Sequence, residues 1–468
     1  MLRRTITSLV ACCVLVCPFF ADATVRAQTP VPTVSRNLPD DVEIPSGFTG
    51  DPVAFFDDFS WRSFVALNWP AADTGRGLPH PSKAFGEAAD HVVWGTWKAD
   101  HEVFQPNGME PSEWDLFQAV SPDPFLPFAE AGRTRVLGGF GARGSDLQIE
   151  HYNQANAAGL AQGSLVDRNR QYVRYEIRIN RTEFEFIRNR KYYLGEKIDE
   201  EVQAKGQLLF PFGSAEIKAS WRVFTTAELA DPNLLAKYYR SEAVLIDPSG
   251  ARKPATIGLV GLHIVRRTPS RPEWIWSTFE HVDNDVGTNS SLLVASDPNP
   301  ATWNKLRPKV NQDNPPLSDP DPVAVKRLRN MRSETTAANN AYLGHDQIKN
   351  TVWKNYRLVM TQWPKDPAQS EAQFIQRFLN QDYPQGAGNP SPDEQSTHPI
   401  ANLTMETTST FQNNSSCMKC HFNAGKLSKT EFVWTVPLRA FRKPADAAAV
   451  AQRLQESVGP LMQKLEAK

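Results

Sequence analysis

The stretch TIGLVGLHIVRRTPSRPEWIWSTFEHVD (Thr256–Asp283) predicts an antiparallel β-hairpin. Two runs rich in β-branched and aromatic residues flank PSRP (Pro269–Pro272), and such a breaker between two runs is typical of an antiparallel hairpin. The second run alternates with a period of two, with one face carrying Ile275, Ser277, Phe279 and His281 and the other Trp274, Trp276, Thr278 and Glu280. The stretch therefore predicts two long paired strands.

Other stretches surround this hairpin with both kinds of element. Strand patterns occur in HVVWGTWK (His91–Lys98), QYVRYEIRIN (Gln171–Asn180), AEIKASWRVF (Ala215–Phe224) and TVWKNYRLVMTQWP (Thr351–Pro364). Helical patterns occur in FFDDFSWRSFVALNW (Phe55–Trp69, a buried helix or a helix-to-strand switch), EFEFIRNRKYYL (Glu183–Leu194), VAVKRLRNMRSETTAANNAYLG (Val323–Gly344), EAQFIQRFLNQ (Glu371–Gln381) and the tail Pro444–Lys468. We predict an α+β fold with a β-rich main body and covering helices at residues 28–395 and a small helical segment at 396–468.

The N-terminus has the pattern of a secretory signal peptide. Arg3 and Arg4 precede an apolar run of 12 residues, Leu9–Phe20, and small-residue cleavage signals follow at Ala21–Ala23 and Val25–Ala27. A membrane-spanning helix needs about 20 apolar residues, so the run is short for an anchor. We therefore expect export to the periplasm, with residues 1–27 removed by cleavage after about residue 27 or 23.

The charge balance argues against two kinds of main partner. Loss of three arginines and one aspartate with residues 1–27 leaves 48 basic and 51 acidic side chains, a net charge of −3. A nearly neutral chain does not favour nucleic acid or an anionic membrane surface as its main partner. No other stretch approaches 18 uninterrupted apolar residues, so we do not expect an integral membrane protein.

The cysteines point to one short motif. Three of the five cysteines lie in the signal segment, and the remaining two, Cys417 and Cys420, form C-x-x-C-H with His421 in NNSSCMKCHFNAGK (Asn413–Lys426). This is the attachment pattern of c-type haem. The two thiols reach the two vinyl groups of one porphyrin as thioethers, and the adjacent histidine binds the iron.

Three other uses of the motif remain open. A structural zinc site requires four ligands, so histidines or carboxylates would have to complete it. A thioredoxin-like redox site is usually set in a βαβ unit, which the residues after His421 do not resemble. A disulfide across a four-residue loop would leave His421 without a role.

The motif and several further stretches resemble a known group of proteins. Over Cys417, Cys420 and His421 the chain resembles bacterial c-type cytochromes, although only 47 residues follow His421 and the compact class carries its motif near the start. SWRSFVALNWP, EIKASWRV, TPSRPEWIWSTFEHVDN, NYRLVMTQWP and ANLTMETTSTFQNNSSCMKCH are similar to segments of large exported monohaem proteins of the cytochrome c family. The resemblance implies one covalent haem c and no settled activity.

The group opposite His421 on the iron is left open by the sequence. The candidates are Met462, Met405, His398, His281 and His263, or an open site without a second ligand. Met360 is a further candidate, whereas Met418 lies inside the motif. Basic residues that are candidates for pairing with haem propionates are Lys218, Arg222, Arg266 and Arg267, and those for guiding a redox partner are Lys419 and Lys426.

Three functions follow from such a haem. The first is electron transfer to or from a periplasmic redox partner protein. The second is a haem enzyme of the peroxidase or oxidase type, with a small-molecule substrate held between the body and the haem. The third is a haem-based sensor or a redox subunit of a larger complex.

Overall fold

The computed structural model describes residues 30–105, 108–117, 135–137, 166–167, 169, 171–246, 252–284, 292–294, 323–324, 327, 330–380, 386–387, 402–405 and 417–443. Within this part the fold is α+β, with a large sheet and helices on both faces. The helices are α1 (Val53–Leu67), α2 (Asp100–Val103), α3 (Arg181–Arg190), α4 (Gly195–Lys205), α5 (Thr226–Leu229), α6 (Pro232–Leu235), α7 (Ser333–Leu343), α8 (Asp346–Lys349), α9 (Glu371–Asn380), the motif helix (Cys417–Ser428) and a short helix (Thr435–Arg439).

The strands are β1 (Lys98–Ala99), β2 (Arg135–Leu137), β3 (Val166–Asp167), β4 (Arg174–Ile179), β5 (Ala215–Val223), β6 (Arg240–Ile246), β7 (Arg252–Thr268), β8 (Arg271–His281), β9 (Leu292–Val294), β10 (Val323–Ala324), β11 (Tyr356–Pro364) and β12 (Gly386–Ala387). Nine of these described strands form one sheet in the order β1-β4-β5-β7-β8-β11-β12, and β6 pairs with β7 and, in parallel, with β2. A smaller sheet has the order β10-β9-β3.

The predicted hairpin is the centre of the large sheet. Strands β7 and β8 pair antiparallel around Pro269–Pro272, with His263 opposite Thr278 and Val265 opposite Trp276. Strand β5 extends the sheet on one side and β11 on the other. The hairpin prediction is therefore confirmed.

Helix α1 covers one face of this sheet, and we call it the α1 face. The hydroxyl of Ser60 lies 2.7 Å from that of Ser277 on β8 and 2.7 Å from that of Thr361 on β11. The ring of Phe56 stacks on Trp363 at 3.8 Å. Phe55–Trp69 is thus a buried helix from Val53 to Leu67, without a switch to strand.

Two predicted elements have different bounds. The stretch His91–Lys98 is mainly a turn of 3-10 helix at Trp94–Thr96, and only Lys98 belongs to a strand. In Val323–Gly344 the chain is a strand at Val323–Ala324, and the helix begins at Ser333. The predicted tail helix, Pro444–Lys468, lies outside the described residues.

Candidate functional site

The C-x-x-C-H motif opens a helix that packs on the main body. The motif helix begins at Cys417 and lies against β8, β11 and α9. Its Met418 and Phe422 are buried, and the Phe422 ring stacks on Phe378 of α9 at 4.9 Å. The helix is therefore held by an apolar surface formed of residues from the body.

Contacts with β11 fix the first turn of this helix. Cys417 is half-buried and packs against the cluster formed by Val359 and Met360. The backbone N–H of Met418 donates a 2.8 Å hydrogen bond to Oε1 of buried Gln362. The first N–H groups of a helix have no partner within it, so Gln362 acts as a cap supplied by the sheet. Cys420 lies three residues after Cys417, the spacing of neighbours on one helix surface.

His421 is oriented from two sides. Its Nδ1 lies 2.7 Å from the backbone oxygen of Phe432, and the ring centroid lies 4.3 Å from that of Trp276 on β8. A carbonyl oxygen only accepts, so Nδ1 carries a proton, and in the neutral imidazole Nε2 then carries the lone pair. Histidines that bind metals usually have this arrangement, in which the other ring nitrogen donates to a carbonyl or carboxylate.

The sheet face under the motif helix consists of rows of side chains. Side chains alternate between faces along a strand, and directly paired residues share a face. We call the face that carries Trp276 and Gln362 the motif face. Its first row runs through Ile179, Glu216, Val265, Trp276 and Gln362, its middle row through Ile177, Lys218, His263, Thr278 and Met360, and its third row through Tyr175, Ser220, Gly261, Glu280 and Arg357.

The C-terminal part of the chain covers one end of the middle row and the third row beside it. At that end of the middle row, Cys417 packs against a cluster formed by Val359 and Met360. The turn Asn402–Met405 lies over the third row, where the hydroxyl of Thr404 lies 2.6 Å from that of Ser220, and it reaches the middle row at Thr278, whose Oγ1 accepts a 2.9 Å hydrogen bond from Nδ2 of Asn402. In the rest of the middle row Ile177, Lys218 and His263 are half-buried, and we call these three residues the open strip.

The candidate iron ligands lie in different places. His263 is in the open strip, whereas His281 is on the α1 face, where its ring stacks on Tyr238 at 4.0 Å. The Nε2 of His281 lies 2.9 Å from Lys237 O, and burial lowers the pKa of its imidazole to about 4. Met405 is fully buried in an apolar cluster with Tyr175 and Leu403. The candidates His398 and Met462 lie outside the described residues.

Three of the four basic residues that are candidates for pairing with haem propionates form contacts outside the open strip. Arg222 pairs with Glu228, Arg266 donates to Ser63 Oγ at 3.0 Å on the α1 face, and Arg267 lies 3.4 Å from Glu431. Lys218 lies in the open strip, with its Nζ 5.7 Å from the centre of the Tyr175 ring. The structure thus separates Lys218 from the three arginines. Lys426 is exposed on the motif helix.

A cluster of buried carboxyl groups beside the motif helix was not predicted. Glu431 accepts hydrogen bonds from Phe210 N at 2.8 Å and from Trp274 Nε1 at 2.9 Å, and burial raises the pKa of its carboxyl to about 7. Burial likewise raises the pKa of Glu216 to about 7 and that of Glu183 well above its ordinary value, the latter also through the adjacent Glu216 carboxyl. Nothing in the sequence distinguishes these glutamates from exposed ones.

No family model, no curated protein and no solved structure matches the chain. Within the described ranges, no helix combines the length and apolarity needed to cross a membrane. The same part of the chain contains no group of three or more His, Cys, Asp or Glu side chains arranged to hold a metal ion.

Proposed function

We propose that the chain is an exported monohaem c-type cytochrome that transfers electrons in the periplasm. The observation that carries the proposal is the hydrogen bond from His421 Nδ1 to Phe432 O, which leaves the lone pair on Nε2. Because the histidine of a C-x-x-C-H motif binds the haem iron, this is the tautomer that the role requires. When bound, the haem supplies an iron that cycles between the ferrous and ferric states.

The side chains around the motif fit such a group. Cys417 and Cys420 would hold the porphyrin as thioethers, and His421 would be the proximal ligand. Trp276 and the Phe432 carbonyl fix the His421 ring from two sides, so its orientation does not depend on the haem. The half-buried open strip next to these residues provides an apolar and cationic surface through Ile177 and Lys218.

Covalent attachment is the direct test. The full chain would be expressed with its N-terminal segment in a bacterium that matures c-type cytochromes, and the alkaline pyridine haemochrome spectrum would be recorded. We expect the c-type spectrum with one haem per chain, and its loss in Cys417→Ala and Cys420→Ala. Lys426→Ala, an exposed change in the same helix, is the matched control and should retain the haem. A chain without covalent haem, or cysteine variants that keep it, would overturn the proposal.

The export part has its own test. The N-terminal sequence of protein recovered from the periplasm should begin at about residue 24 or 28, after one of the two small-residue sites. Arg3→Glu together with Arg4→Glu should slow export, because the positive n-region is removed. Cytoplasmic protein that retains Met1 would contradict the periplasmic location.

A further inference from the structure

His263 occupies a central position on the motif face. It lies on β7, between Lys218 of β5 on one side and Thr278 of β8 on the other. Its side chain is half-buried, whereas the flanking third-row residues Ser220 and Glu280 are fully buried. His263 therefore belongs to the part of the sheet face that neither the motif helix nor the Asn402–Met405 turn covers completely.

His263 is a neighbour of Trp276, the residue whose ring contacts His421. Val265, two positions along β7, is paired with Trp276, so His263 and Trp276 are diagonal neighbours. Such neighbours have side chains about 7 Å apart on the same face of an antiparallel pair. The Trp276 ring lies 4.3 Å from the His421 ring. The two imidazoles thus stand on the same side of the sheet, with one indole beside both.

The other described candidates lie in different places. His281 is on the α1 face, with its Nε2 at Lys237 O. Met405 is fully buried in an apolar cluster at the far side of the third row. Met360 is buried in the cluster against which Cys417 packs, so it would lie at the edge where the porphyrin is attached. Among the described candidates, His263 combines the motif face, partial exposure and proximity to His421.

We propose that His263 is the second axial ligand of the haem iron, an inference that rests on the proposed function. Two imidazoles give a six-coordinate iron, which leaves no position for a small molecule, and they place the reduction potential below that of His/Met coordination. Lys218, paired with His263 across the strands, places a cation beside the ligand for a haem propionate. The inference favours electron transfer over a haem enzyme.

The test uses the haem-loaded chain and its electronic spectrum. Wild-type protein should be low-spin in both oxidation states and should not bind carbon monoxide. His263→Ala should retain covalent haem but become high-spin and bind carbon monoxide, and added imidazole should restore the low-spin spectrum. His263→Met should remain low-spin with a raised reduction potential. Rescue by imidazole would not occur if His263 only supported the fold.

Two control variants separate the alternatives. His281→Asn, on the α1 face, and Met405→Leu, a change of similar volume, should leave the low-spin spectrum unchanged. A high-spin spectrum in Met405→Leu together with a low-spin spectrum in His263→Ala would overturn the inference. So would wild-type protein that carries c-type haem and binds carbon monoxide, although the proposed cytochrome would then stand. Absence of covalent haem from the wild-type protein would instead remove the proposed function itself.

Discussion

The imidazole of His421 lies against the indole of Trp276, with ring centroids 4.3 Å apart and the ring planes inclined by 50°. The two residues come from parts of the chain that are distant in sequence, the motif helix and the central hairpin. The contact therefore connects the short C-x-x-C-H motif to the large sheet. It also gives the main body a role in the site, because β8 positions the histidine.

Replacement of Trp276 should weaken this connection. We expect Trp276→Ala to destabilise the protein by about 3–5 kcal/mol, the usual cost of truncating a buried large aromatic residue. Trp276→Phe retains an aromatic ring against His421 and should cost clearly less. Denaturation by urea, followed by far-ultraviolet circular dichroism, measures both. Equal midpoints for Trp276→Ala and wild type would contradict the packing described for this residue.

Gly425 should be required for the close approach of the motif helix to its neighbours. A Cβ atom at this position would lie 2.1 Å from Cε1 of Phe378 and 2.4 Å from the backbone oxygen of Glu431. Gly425→Ala should therefore destabilise the protein by about 1–3 kcal/mol through overpacking. Helix propensity alone would make alanine more stabilising by about 1 kcal/mol.

Whether Gly425→Ala lowers or raises the free energy of unfolding is thus the decisive result. Lys426→Ala, next in the helix and exposed, is the control and should change stability by less than about 0.5 kcal/mol. Urea midpoints of the two variants and the wild type provide the comparison. A Gly425→Ala variant more stable than wild type would mean that the helix can shift away from Phe378 and Glu431.

Periodicity predicts the elements that have one buried face, but not the site they build. The strands and helices with clear two- or 3.6-residue patterns, such as β8 and α9, lie where the sequence places them. The stretch around Trp94 is different, because its residues are all buried in a turn that brings the Trp94 ring 6.0 Å from Trp221. An apolar run has no period when every side chain is buried, so the sequence of such a turn resembles that of a buried strand.

The motif could be predicted because its three residues are adjacent in sequence. The open strip could not be predicted, because Ile177, Lys218 and His263 lie on three different strands and become neighbours only through the register of the sheet. The buried glutamates were also missed, since Glu183 and Glu431 occupy a helix and a turn in which charged residues are usually exposed. Tertiary contacts, not local patterns, decide both features.

Hydrogen bonds of Asn339 should be important for the packing of α7 against the sheet and α1. Its Oδ1 accepts from Trp61 Nε1 at 3.1 Å and from Leu358 N at 2.9 Å, and its Nδ2 donates to Leu358 O at 2.8 Å. Asn339→Ala leaves these buried groups without partners, so we expect a loss on the order of 3 kcal/mol in the free energy of unfolding. Asn340→Ala, exposed on the same helix, should be nearly neutral. Similar thermal midpoints for the two variants would count against this network.

Glu183 should make stability fall as the pH rises. Its side chain is fully buried beside Glu216 and Glu431, and burial together with the Glu216 carboxyl raises its pKa. At pH values between the unfolded and the folded pKa, such a carboxyl is protonated in the folded protein but ionised in the unfolded chain. Its contribution is therefore fully present below the unfolded pKa of about 4.3 and is lost as the pH rises through the folded pKa, at about 1.4 kcal/mol per pH unit.

Glu183→Gln tests this expectation because it retains the size of the side chain and removes the proton. At pH 7.5 the variant should be more stable than wild type, because the wild-type side chain must either take up a proton or be buried as a carboxylate when the chain folds, and the difference should shrink toward pH 4.5. Glu185→Gln is the matched control on the same helix, since the Glu185 side chain is 45 % exposed and pairs with Arg181 at 2.7 Å. It should stay within about 1 kcal/mol at both pH values. Urea denaturation at the two pH values measures each difference. If Glu183→Gln were less stable than wild type at pH 7.5, the folded protein would be holding Glu183 as a carboxylate, stabilised by a positive charge facing it.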